Sequence, residues 1–203
     1  MNMRRLSFVL GLMLLVGCAR NPLQPGDLLF QAGEGGMPMA MAIESATGGV
    51  FSHVGILGES LKDVWEAVPE EGVRNVPLQQ FLEEASLDAA GKPYVRVYRV
   101  ACNWEDVLLH LKALKGRPYD KAFQPGDDAL YCSELVYECY RDSSGAPIFT
   151  AIPMTFKGAD GAMVPYWVSH YAELGVAIPE GESGTNPNDL SRSPLLTPVP
   201  VEW

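Results

Sequence analysis

Cys132 opens the stretch Tyr131–Tyr140, in which Cys132, Leu135, Val136 and Cys139 recur at helical spacing. A thiol in the first turn of a helix meets the positive end of the macrodipole, which favours the thiolate, the form that attacks carbonyl carbon. A Gly/Asp/Pro loop, Gln124 to Asp128, leads into it. Cys139 lies one heptad deeper and suits a small buried hydrophobe. A thiol nucleophile works with a base, and the base with a group that orients it. The chain has three histidines. His110 falls inside Trp104–Lys115 on the side away from Leu108 and Leu111, as a surface residue would. His170 lies in a Tyr/Trp-rich stretch that leaves its role open. His53 starts a strand-like run after Gly48-Gly49 and Ser52, where a ring would point from the mouth of a sheet. Glu66 alternates with Trp65 and Ala67 in an apolar strand, so its carboxylate must face solvent or have a partner. Each of these residues also has a structural alternative: a core thiol, a strand-start imidazole, a solvent-facing carboxylate.

The elements that must position them follow from periodicity. Gly26-Asp27-Leu28-Leu29-Phe30 is a turn feeding a strand, and Pro38 opens a helix through Met39 to Ser45. Residues 52–59 and 64–68 are strands, with a loop near Ser60–Asp63 that brings His53 and Glu66 within a few residues of register. Gly72-Val73 begins a return, Pro77 to Ala85 is helical in pattern, and Tyr94 to Val100 alternates as a strand. Trp104 to Lys115 is an amphipathic helix with Val107, Leu108, Leu111 and Leu114 on one side, stopped by Gly116. Residues 117–130 are a loop. The last sixty residues, rich in Pro and Gly, carry little regular pattern. Strands clustered between helical regions predict an α+β domain with an antiparallel sheet. No Gly-rich phosphate loop is present. Met37, Met39 and Met41 on the first helix suit either core packing or the floor of an apolar groove.

The 203 residues suit one domain, and 47% hydrophobic residues suffice for a core. A formal net charge of -10 without a basic stripe argues against nucleic acid as a partner. At the N-terminus, Arg4 and Arg5 precede an apolar run, Leu6 to Val16, too short to span a membrane comfortably. Leu15-Val16-Gly17-Cys18 then has the form of a lipobox, in which the Cys18 thiol is lipidated after cleavage. The expectation is an exported lipoprotein, on the periplasmic face of the outer membrane if the host has one, since Ala19 rather than Asp follows the Cys. An ordinary secretory leader is the alternative. Cys18 set aside, Cys102, Cys132 and Cys139 remain, an odd number. Cys132 and Cys139 would stand about 10.5 Å apart along a helix, too far to bridge. A Cys102–Cys139 bridge stays possible beside the reading of two buried thiols. No pair of Cys or His has metal-ligand spacing, and no cofactor is expected.

Five segments in order resemble the permuted papain-like amidases of the YaeF/YiiX group, relatives of NlpC-like cell-wall peptidases and of lecithin retinol acyltransferase. They are Gly26-Asp27-Leu28-Leu29-Phe30, Ser52-His53-Val54-Gly55-Ile56, Glu66-Ala67-Val68, Gly116-Arg117-Pro118-Tyr119-Asp120 and Tyr131-Cys132-Ser133-Glu134-Leu135-Val136. In this group the histidine precedes the cysteine, the reverse of the NlpC order. The resemblance implies a circularly permuted papain-like fold, with a small antiparallel sheet packed on helices. It implies Cys132 as nucleophile, His53 as base and Glu66 as the orienting residue. It also makes Tyr119 a candidate oxyanion donor, beside the alternative of a packed aromatic. NlpC-like peptidases usually have Asp before the nucleophile where this chain has Tyr131, which weakens any transfer of peptidoglycan specificity.

The expected organisation is a leader (1–17), a lipidated Cys18 and tether (18–25), a hydrolase domain (26–180) and an irregular C-terminal tail (181–203). The expected activity is a cysteine hydrolase of the cell envelope acting on an amide, in cell-wall peptide or in an acyl-amide. The alternatives are a lipid-directed thiol acyltransferase or lipase using the same residues, and a catalytically silent binding module.

Overall fold

The computed structural model describes residues 22–33, 37–124, 126 and 128–203. The leader and Cys18 lie outside the described residues, as does the first part of the tether. The architecture is α+β, built on a six-stranded antiparallel sheet of order β4-β3-β2-β1-β5-β8. Its strands are β1 (Leu28–Gln31), β2 (His53–Leu57), β3 (Asp63–Val68), β4 (Gly72–Pro77), β5 (Val95–Arg99) and β8 (Thr197–Val199). A two-stranded ladder, β6 (Ile152–Pro153) with β7 (Ser183–Gly184), stands apart from it. The helices are α1 (Pro38–Thr47), α2 (Leu78–Glu83), α3 (Trp104–Leu114), α4 (Cys132–Cys139), α5 (Pro165–Leu174) and α6 (Pro187–Ser191). Among the described residues no helix is long and apolar enough to cross a membrane.

Both sheet faces are covered, which is why β1 opens on an unbroken apolar run rather than an alternating one. Leu28, Phe30, Val54, Ile56, Trp65 and Ala67 face α3 and α4, meeting Val107, Leu111, Leu135 and Val136. Leu29, Leu57, Val64, Val76 and Val97 face the other way, onto Phe81 and Leu82 of α2. A third apolar cluster joins α1 and α5 through Ala42, Phe123, Tyr131, Met154, Phe156, Trp167 and Tyr171. Burying one such large side chain contributes about 1.5–3 kcal/mol, so each cluster holds its helix firmly.

The Gly26-Asp27 segment has a structural task. Gly26 adopts φ +83, open to glycine without strain, and its carbonyl accepts from the Tyr140 hydroxyl at 2.6 Å. Asp27 is buried and takes a two-pronged bond from Arg99, with Nε and Nη2 each at 2.7 Å. Together they pin the start of β1 to the end of β5 and to the C-terminal end of α4.

Two expectations need correction. The last sixty residues hold regular structure, including the ten-residue helix α5. Pro165 at its first turn and Gly175 in the left-handed C-cap bracket it; the neighbouring Gly and Pro hid that pairing. Residues 181–203 are not an irregular tail. They carry β7, α6 and β8, and β8 pairs with β5 through Val97–Val199, Tyr98–Pro198 and Arg99–Thr197. Pro198 is tolerated because β8 is the outermost strand of the sheet, where no further ladder needs its missing N–H.

Candidate active site

Cys132 is the first residue of α4, with Tyr131 as an extended N-cap. Its N–H is among the four that no preceding helical turn can bond. Cys132 is buried, only 4% exposed. His53 begins β2, and its Nε2 lies 2.6 Å from Glu66 Oε2. The Cys132 side chain lies close enough to the imidazole to favour its charged form. β2 and β3 pair at Ile56–Trp65 and Leu57–Val64. Continuing that register sets Gly55 opposite Glu66 and places His53 one pleat further along the same face. Gly55 is required there, since a Cβ would come within 2.5 Å of Val64 Cγ1 and 2.9 Å of Phe81 Cε2. Phe81 thereby reaches the His53 ring, 5.7 Å between centroids.

Glu66 is fully buried. Its second oxygen, Oε1, accepts from Arg74 Nε at 2.9 Å and lies 2.7 Å from Nη2. Arg74 stands directly across the β3–β4 ladder from Glu66 and also bonds Glu71 and Glu84. Burial alone would push the Glu66 carboxyl up, but His53 and Arg74 outweigh it and hold the group below its ordinary range. Burial likewise opposes charge on His53. The hydrogen bond and charge of Cys132, together with those of Glu66, overcome that and raise the imidazolium to about 10. The arrangement therefore favours a protonated imidazole against the Glu66 carboxylate.

Tyr119 comes to this site through its loop. Val73 N–H donates to the Arg117 carbonyl at 2.9 Å, Gly116 N–H to the Val73 carbonyl at 2.8 Å and Leu130 N–H to the Pro118 carbonyl at 3.0 Å. The buried Asp120 carboxylate tightens the turn by accepting from Ala122 and Gln124 N–H at 2.8 and 2.6 Å. Tyr119 is half-buried. Burial and then the charge of Cys132 push its hydroxyl well above the ordinary tyrosine range, so it stays a neutral donor beside the sulfur.

The other candidates lie elsewhere. His110 Nδ1 pairs with the Asp106 carbonyl on α3. His170 Nε2 pairs with the Lys121 carbonyl, and its ring stacks on Tyr166. Cys102, Cys132 and Cys139 are free thiols, Cys102 exposed and Cys139 buried. Met37 and Met41 are exposed and Met39 packs at the edge of the third cluster, so the methionines of α1 split between surface and core. Among the described residues no group of three or more His, Cys, Asp or Glu is placed to hold a metal ion.

Three contributors were missed in the sequence. Arg74 was legible, because a hairpin turning at 69–71 sets it opposite Glu66. Asn188 of α6 bonds the Phe51 backbone twice, accepting from its N–H at 3.0 Å and donating to its carbonyl at 2.8 Å. Thr185 bonds Ser133 on α4 at 3.1 Å, and its N–H donates to the Tyr131 hydroxyl at 3.0 Å. No local pattern foretells contacts 52 to 137 residues apart.

A helix-borne thiol packed on an antiparallel sheet that presents an imidazole and a carboxylate defines the papain-like class of cysteine peptidases and amidases. Within that class the chain belongs to the permuted papain-like amidase family, YaeF/YiiX, C92, whose model matches residues 22–200. It is 30% identical over 185 residues to the protein YiiX of Escherichia coli (strain K12), covering 89% of this chain and 87% of that one. It is similar to the crystal structure of YiiX from Escherichia coli O157:H7, with a TM-score of 0.70 and 28% identity over 89% of this chain and 98% of the other. That YiiX is described as a metalloprotein. The described residues of this chain hold no group of three or more His, Cys, Asp or Glu placed for a metal ion, and no step here runs through one.

Proposed function

We propose that this protein is a cysteine amidase of the cell envelope, held to a membrane by a lipid on Cys18, with Cys132 as nucleophile. The observation that carries the reading is His53, bonded to the buried Glu66 at 2.6 Å and close enough to Cys132 for that side chain to favour its charge. The Cys132 thiolate attacks the amide carbonyl carbon and forms a C–S bond. The C–N bond breaks as His53 gives its proton to the leaving amine. Water then attacks the thioester, passing a proton to His53. The C–S bond breaks and the thiolate returns. Glu66 fixes the imidazole's orientation and supports its charge. The Cys132 N–H and the Tyr119 hydroxyl face the developing oxyanion, each worth about 2.7–4 kcal/mol in comparable chemistry.

The test is hydrolysis of a panel of peptide and acyl amides by the wild-type chain, Cys132→Ala and Tyr119→Phe. Cys132→Ala should be inactive, and Tyr119→Phe should lose about 10²-fold in kcat. Hydrolysis surviving in Cys132→Ala would overturn the reading.

A further inference from the structure

We infer that the substrate's acyl group is short and aliphatic, two to four carbons long, and that it enters an apolar pocket beside Cys132. The inference rests on Cys132 being the nucleophile and names the acyl class that nucleophile accepts. Cys132 shares the wall of a pocket with Ile43, Phe123, Met154, Phe156 and Trp167; the polar residues of the lining, Thr47, Ser133, Thr155, Thr185 and Asn186 among them, are uncharged, and most of the lining surface is apolar. Its volume is about 50 Å³. A cavity of about 150 Å³ takes a benzene-sized guest, so one third of that takes roughly two carbons, with one or two more at the mouth.

The walls are held in place. Trp167 packs edge-on against Phe156 and Phe123, with centroids 5.4 and 5.5 Å apart. Met154 Sδ accepts from the Tyr131 hydroxyl at 3.9 Å. Gly184 presses on the same sulfur, leaving no room for a Cβ between them. A long fatty chain would have to displace several of these side chains, as would a charged one, which would also go unpaired.

The experiment uses p-nitrophenyl esters of acetate, propionate, butyrate, octanoate and dodecanoate. Nitrophenolate release is followed together with the mass of the Cys132 peptide after rapid quenching. The thiolate attacks the ester carbonyl and the C–S bond forms. The C–O bond breaks and nitrophenolate leaves as the anion, with His53 keeping its proton. Adduct formation should rise about fourfold per methylene while the pocket fills, peak at propionate or butyrate, and fall at least tenfold by octanoate. Met154→Ala should move the peak two to three carbons longer, and Ile43→Ala, on a different element, should move it the same way if Met154→Ala does not fold. Octanoate or dodecanoate as the best donor, or enlarging variants that leave the peak where it was, would overturn the short-acyl pocket while leaving Cys132 as nucleophile. No adduct on Cys132 with any ester would overturn both.

Discussion

Arg74 faces Glu66 directly across the β3–β4 ladder and bonds the carboxylate oxygen that His53 leaves free. The carboxylate is wholly buried and Arg74 is 15% exposed, so the pair works in a medium of low effective dielectric. Replacing Arg74 with Ala strands a buried charge with His53 as its remaining strong partner, which costs about 3 kcal/mol. Urea unfolding should register that loss, and kcat should fall more than KM rises. Arg74→Lys keeps the charge without the fork and should fall between the two. A loss under about 1 kcal/mol in Arg74→Ala would contradict the role.

The His53 charge has a defined pH window. Its folded value, about 10, lies above the ordinary 6.5. The stability it contributes is therefore fully present below pH 6.5 and is lost as pH rises through about 10. Turnover should decline over the same upper range, because the leaving amine needs that proton. Glu66 has the opposite sign: its contribution is present above 4.5 and is lost as pH falls through its lowered value. An NMR titration of the His53 ring should show its transition moving downward in Cys132→Ala. An unmoved transition would mean the sulfur does not hold the proton in place.

Asn188 ties α6 to the strand that carries His53. It is 2% exposed and bonds the Phe51 N–H and carbonyl and the Thr47 hydroxyl. Asn188→Ala leaves buried backbone groups unpaired, at about 1–3 kcal/mol each, and should lower the melting temperature and kcat together. Removing residues 182–203 takes away β7, α6 and the β8 edge and should prevent folding. A truncated chain with a cooperative transition near that of the full chain would contradict this.

Gly72 is fixed by both backbone and space. Its φ is +68, and a Cβ would overlap the Arg117 carbonyl oxygen. Gly72→Ala must strain the turn by about 1–3 kcal/mol and also push away the loop that carries Tyr119. Calorimetry should find destabilisation of about 2 kcal/mol or more, with nitrophenolate release slowed. Unchanged stability would mean the loop is not anchored on β4.

What could be read from the sequence was local. Tyr94–Val100 and Trp104–Lys115 alternate or repeat cleanly and became β5, one residue shorter at each end, and α3, one residue shorter at its C-terminus. Cys132 at a helix start and the approximate register of His53 with Glu66 were accessible from spacing alone. The thiol's contact with the imidazole needed the family order of motifs, because α4 crosses onto β2 only 79 positions further along the chain. The C-terminal strap was illegible for the same reason. Its stability comes from Asn188, Thr185 and β8 meeting partners far back in the chain, and Pro and Gly nearby masked short elements whose partners supply the order.

If His53 and Glu66 activate Cys132, its thiol reacts ahead of the others. Among the described residues Cys102, Cys132 and Cys139 are free thiols and allow an internal comparison. Iodoacetamide at neutral pH, with each modified peptide quantified over time, should label Cys132 at least about tenfold faster than the exposed Cys102 and faster than the buried Cys139. His53→Ala should remove that advantage. Labelling of Cys102 first, with Cys132 no faster in the wild-type chain than in His53→Ala, would contradict the account.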